Sequence, residues 1–228
     1  MRIETWEIMQ NADLDEIELQ LAFQCAPLIT GLKVSNLFQI DSRHYKRLCE
    51  ILDKSNFSFC GLGGRNGSVS LLIYQKEWLE QFLQQEEVRI LMHRLGYRDL
   101  HLERVLTRFR SRYIRYMQKK QQFPHEMGVL LGYPPEDVEG FIIYEGKNSL
   151  CEGYWKVYAE PQKKLRLFAQ YDKAREWLLD LLYCGVGMED IVGVALDAES
   201  RAISQDYLFA SWDRGMIREC TVILYRYK

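Results

Sequence analysis

The spacing of apolar side chains along the chain predicts a sequence of helices around a small sheet. Leu14, Ile17, Leu19, Leu21 and Phe23 give residues 12–24 a helical reading, which Pro27 and Gly31 should end. A second helix is expected over about 43–54, with Tyr45, Leu48, Ile51 and Leu52 on one side. Two β-prone runs, 57–60 and 68–74, flank a glycine-rich loop containing Asn66-Gly67 and read as a hairpin. From Lys76 to about Lys120 the pattern is helical, with a pause near Gly96. Pro124 and Gly132 suit the start and end of a short helix, and Pro135, followed by Glu136 and Asp137, suits the start of another. Aromatic alternation over 151–158 predicts a strand. Pro161 opens a long helix to about Tyr183, followed by helical stretches near 188–195 and 198–210 and a final strand near 218–227. The class expected is α+β, a small antiparallel sheet covered by several helices, with 57–60, 68–74, 151–158 and 218–227 as its strands.

Composition fits this picture. With 228 residues, 47% of them hydrophobic and 13% aromatic, the chain can fill one sizeable core or two small ones. No apolar run approaches the roughly 18 residues of a membrane span, and the acidic start lacks a secretory stretch, so a cytoplasmic location without membrane contact is expected. Net charge is only −2, but it is unevenly spread. Residues 89–120 hold ten lysines and arginines against Asp99 and Glu103, a local charge of +8 that the rest of the chain balances with −10. Beyond Gly96, Leu102, Val105, Leu106, Phe109, Tyr113, Tyr116 and Met117 form one apolar helix face. Arg104, Arg108, Arg112, Arg115 and Lys119 run beside it as a cationic stripe. Such a stripe steers acidic partners. The aromatics lie on the apolar face and not between the arginines, which counts against base stacking and hence against nucleic acid.

Candidate chemistry is sparse. The six cysteines lie far apart and form no C-x-x-C pair, so neither a zinc knuckle nor a disulfide framework is indicated. His125-Glu126 opens like a metalloprotease helix, but Val129 stands where the second histidine would be; no metal site can be read. In the run Gly61-Leu-Gly-Gly-Arg-Asn-Gly67, backbone N–H groups and Arg65 could meet a phosphate or carboxylate, although the phosphate-binding glycine patterns are not met and a plain turn explains the same residues. Tyr133, Tyr154, Trp155 and Tyr158 could flank a flat ligand or simply pack a core.

Several stretches resemble a bacterial family catalogued as domain of unknown function 3793. These are Cys25-Ala-Pro, Gly31-Leu-Lys33 and Asn36-Leu-Phe38, then Phe123-Pro-His-Glu-Met-Gly, Leu131-Gly-Tyr-Pro-Pro-Glu-Asp-Val-Glu-Gly-Phe141 and Gly153-Tyr-Trp-Lys-Val-Tyr158. The resemblance covers about residues 20–174, which sets a family-like domain at 1–174 and a C-terminal extension at 175–228, packed on the same core. Gln24 stands where the family often has histidine, and Ala174 where it often has cysteine. The family carries no established activity or cofactor. Its genomic setting beside flavodoxins and iron-uptake genes implies redox or iron physiology.

Two functions are therefore expected. One is an accessory protein that docks an acidic, flavodoxin-like redox partner through Arg104, Arg108, Arg112, Arg115 and Lys119. The alternative is a small-ligand or metal-binding protein, or a thiol enzyme, using Cys25, His125 and Cys151, with Glu126, Tyr154 and Arg65 as further contacts.

Overall fold

The computed structural model describes residues 16–194. The expected helix at 198–210, the strand at 218–227, Cys220 and the first residues of the 12–24 helix lie outside the described residues. The chain is α+β. Its described elements are α1 (Glu16–Ile29), β1 (Ser35–Asp41), α2 (Tyr45–Leu52), β2 (Phe57–Arg65), β3 (Ser68–Gln75), α3 (Lys76–Leu83), α4 (Glu86–Arg94), α5 (Leu102–Met117), α6 (Glu126–Leu130), α7 (Pro135–Ile143), β4 (Cys151–Glu152), β5 (Lys156–Val157), α8 (Pro161–Tyr183) and α9 (Met188–Val194). They fall into two compact units. One holds described residues 16–33, 43–56 and 169–194, and the other holds 34–42 and 57–168; the division falls inside α8, after Phe168.

The larger unit is built on a three-stranded antiparallel sheet in the order β1-β3-β2. Its central strand, β3, is buried from Ser70 to Ile73, as a strand covered on both faces should be. Asn66 and Gly67 close the β2–β3 hairpin, both with positive φ (53° and 80°), the geometry whose twist suits a two-residue turn. The glycine run is strand rather than loop. β2 continues to Arg65, with a register shift between Gly61 and Gly63 that bulges Leu62. β1, which pairs with β3 from Ser35↔Tyr74 to Asp41↔Ser68, was not foreseen. Helices α3, α4 and α5 pack their apolar stripes into a core with Leu62 and Leu72, including Leu79, Leu83, Val88, Met92, Val105 and Phe109.

The 151–158 run is not a strand of this sheet. Cys151–Glu152 and Lys156–Val157 form a separate two-stranded ladder, because the chain reverses at Gly153, whose N–H donates to Trp155 O (3.1 Å). A Cβ at Gly153 would lie 2.4 Å from the Phe168 ring, so glycine permits the reversal to pack closely.

In the other unit, α1 runs through Pro27 to Ile29 instead of stopping before it. Proline removes the N–H that would bond Phe23 O, and Arg175 Nε supplies that donor at 3.0 Å while its guanidinium lies 4.4 Å over the Phe23 ring. Gly31, at φ 76°, follows the helix end. Glu18 accepts from Arg47 (2.7 Å) and from the Met188 amide (3.2 Å), and Arg47 also pairs with Glu189 in the first turn of α9. Lys33 is buried in this unit; burial lowers its pKa to about 8, with Cys25 acting in the opposite sense.

Candidate functional site

The segment Phe123–Tyr158 builds a pocket from short elements. In α6 the Met127 amide bonds Pro124 O (2.9 Å) and the Gly128 amide bonds His125 O (3.1 Å). The helix ends where Gly132 turns to φ 71° and Tyr133 N reaches back to Gly128 O (3.0 Å), a glycine-closed terminus. Pro134-Pro135 then starts α7 with proline in its first turn. Asp137, 2% exposed, ties α7 to the β4–β5 segment. Its Oδ2 accepts from Trp155 Nε1 (2.8 Å), and its Oδ1 accepts from the amides of Tyr158 (2.7 Å) and Ala159 (3.1 Å). Lys164 Nζ, equally buried, stands 4.0 Å from Oδ2 and bonds Glu136.

These contacts leave a cavity of about 250 Å³ lined by Phe123, His125, Met127, Tyr133, Phe141, Tyr154 and Trp155, with Gly128, Asp137, Val138 and Lys156 completing it. Tyr133 stacks on Trp155 (4.7 Å between ring centroids, 26°) and Trp155 meets Phe168 edge-on (4.6 Å). The His125 ring packs edge-on against both Phe123 and Phe141, at 5.5 and 6.0 Å, and those two rings also meet each other at 6.3 Å. Its Nδ1 is buried and has no hydrogen-bond partner. Burial lowers the His125 pKa, Glu126 opposes the shift and Arg112 adds to it, so the ring is neutral at physiological pH. Burial also pushes the Tyr133 phenol up to about 12.

Glu126 belongs to a second polar cluster. Its side chain is fully buried; Oε1 accepts from Tyr97 Oη (2.9 Å) and lies 2.9 Å from Arg112 Nε, an ion pair without hydrogen-bond alignment, while Oε2 has no partner. Arg112 also donates to Leu95 O (3.3 Å), and Arg108 lies over the Tyr97 ring at 4.7 Å. Burial, then the charge of Glu126, raises the Tyr97 pKa.

The expected site residues are therefore dispersed. His125 and Tyr154 share the aromatic pocket. Glu126, next to His125 in sequence, is engaged with Tyr97 and Arg112. Cys151 is half-buried in β4, opposite Val157, and is not in the pocket lining. Cys25 is buried in α1, in the other unit. Among the described residues no group of three or more histidine, cysteine or acidic side chains could hold a metal ion. In the stripe, Arg112 turns inward to Glu126, whereas Arg104 (paired with Asp99), Arg108 and Arg115 are exposed on α5 and Lys119 is exposed just beyond its end. Arg65 ends β2, beside the hairpin turn. Lys156 is half-buried and donates to Gly146 O (2.8 Å). Sequence reasoning missed Lys33, Tyr97 and Asp137; the last stood in view, in the turn after Pro134-Pro135, but nothing in its spacing marked its donors.

An α+β protein with an aromatic pocket and a cationic helix is the class these features define. Over residues 21–192 the chain matches the family described as protein of unknown function (DUF3793), and it belongs to that family. The match extends into α9, beyond the stretch that carries the motifs. No curated protein and no solved structure matches the chain. No helix among the described residues is long and apolar enough to cross a membrane.

Proposed function

We propose that the protein binds a small flat ligand, about the size of one aromatic ring, in the His125 pocket. The observation that carries this reading is a cavity lined mainly by aromatic and apolar side chains around His125, whose buried Nδ1 has no hydrogen-bond partner. A buried polar atom without a partner costs about 1–3 kcal/mol, which a ligand hydrogen bond recovers. The volume of about 250 Å³ lies below the range for drug-sized ligands, which sets the size. The test is a titration with phenol, indole and benzoate, followed by methyl and ring NMR signals of Met127 and His125. Phenol or indole should shift both signals, and His125→Phe should weaken that binding about tenfold. No shift with any of the three at millimolar concentration, or equal affinity in the variant, would refute the reading.

A second reading is favoured by Arg115 and Lys119, both exposed and without an acidic partner among the described residues. With Arg104 and Arg108 they would dock an acidic protein surface, a flavodoxin-like redox partner in the setting that the family resemblance implies. Arg112 is not part of this surface. Charge reversal at Arg115 should slow association with a flavodoxin and flatten its salt dependence; unchanged rates would remove this reading.

A further inference from the structure

The bulged end of the β2–β3 hairpin and the last turn of α5 enclose a second cleft, unrelated to the aromatic pocket. We propose that this cleft binds a small soluble phosphate ester, its phosphate held by Arg65 and Lys119 and its less polar body resting on Met117 and Ile114. The volume is about 760 Å³, within the range of ligand sites. Three features argue for an anion with an apolar part.

The first is charge. Arg65 and Lys119 both line the cleft, no carboxylate does, and neither cation has an ion-pair partner among the described residues. Two unneutralised cations on opposite walls of a concave surface focus positive potential into it. An arginine fork and a lysine point charge suit a phosphate dianion better than a single carboxylate.

The second is the construction of the walls. Gly63 takes φ 113° at the bulge, and a Cβ there would lie 3.5 Å from Ile114 Cγ1, so strand and helix approach closely at this point. A Cβ at Gly64 would meet Ser68 O at 2.2 Å, which only glycine avoids. On the helix side Lys119 adopts φ 57°, and the amides of Lys119 and Lys120 bond Tyr116 O (2.8 Å) and Arg115 O (2.9 Å). Two carbonyls at the negative end of α5 are thereby occupied before an anion arrives.

The third is the remaining lining. Gln39, Ser68, Ser70 and Gln118 offer hydroxyl and amide groups, with Gln39 Nε2 donating to Ser68 Oγ (3.2 Å) and Ser68 Oγ to Arg65 O (2.8 Å). Leu62, Tyr113, Ile114 and Met117 supply the apolar part, and Met117 is 39% exposed. A bare inorganic anion would leave that surface unused.

The test is calorimetry on the full chain with phenyl phosphate, inorganic phosphate and benzoate. Phenyl phosphate should bind at least about tenfold more tightly than either of the others, with affinity falling as salt rises. Arg65→Met and Lys119→Met should each weaken it about tenfold or more, with thermal midpoints unchanged because both side chains are exposed. His125→Phe should leave it unaltered, which separates this site from the aromatic pocket. The proposal is overturned if phenyl phosphate fails to bind at 5 mM, if benzoate binds equally well, or if the two cation variants retain the original affinity.

Discussion

Asp137 and Glu126 stand in the first turns of neighbouring short helices, and both side chains are removed from solvent, yet their oxygens fare differently. Both oxygens of Asp137 accept hydrogen bonds, three in all, from an indole and two backbone amides. Glu126 holds Tyr97 and Arg112 through one oxygen and leaves the other without a partner. The first is a strut whose donors belong to the segment it fixes. The second keeps acceptor capacity in the residue next to His125, whose Nδ1 is also unpartnered. Fully satisfied polar groups rigidify a core, whereas partly satisfied ones mark where something else is accommodated.

The contrast can be broken by substitution. Asp137→Ala strands three donors and should cost about 4 kcal/mol in urea unfolding while abolishing pocket binding; a loss below about 1 kcal/mol would show that Asp137 is no strut. Arg112→Met leaves a buried carboxylate without its cation and should cost about 3 kcal/mol. Adding Glu126→Gln should recover much of that loss, and strictly additive effects in the cycle would show that the two residues are not coupled. Gly140→Ala probes the strut from its far side. The new Cβ would lie 2.4 Å from Tyr158 Cβ and Cγ, and the overpacking should cost about 2 kcal/mol.

Lys33 extends the comparison to a buried cation in the other unit. Its folded pKa of about 8 lies below the unfolded value, so unfolding takes up a proton and stability rises as pH climbs from 8. Between pH 8 and 9.5 the gain should be about 1.5 kcal/mol relative to Lys33→Met, read as the difference between the two unfolding curves. Equal pH slopes in the two proteins would contradict the burial account. At the small end, Arg115→Glu should change stability by no more than about 0.5 kcal/mol, since that arginine is exposed and has no acidic partner among the described residues.

Long periodic elements were legible in the sequence. The apolar face of α5 is buried from Leu102 to Tyr113 as its spacing requires, and Pro135 and Pro161 open α7 and α8. β1 was not, because Asn36 and Gln39 interrupt its apolar pattern and its register is set by β3, a partner distant in sequence. Arg112 looked like its neighbours in the stripe for a similar reason. Helical spacing says which residues share a face, but the inward turn of one arginine is decided by a glutamate on another helix. His125 was picked out from the sequence, although its pairing with Phe123 and Phe141 depends on α6 and α7 folding back on each other. Pro27 misled because the donor replacing its missing N–H comes from Arg175.

The division of the chain also has a temporal side. α1 and α2 belong to a unit that is completed only by residues 169–194, so their apolar faces leave the ribosome well before that unit is whole. At ribosomal rates, synthesis of residues 57–168 delays completion by roughly ten seconds, during which α2, with its buried Leu48 and Ile51, has yet to meet α9. A chain arrested before α9 would thus present sticky helices to chaperones and to other nascent chains, while residues 34–42 and 57–168 already contain every strand of the three-stranded sheet.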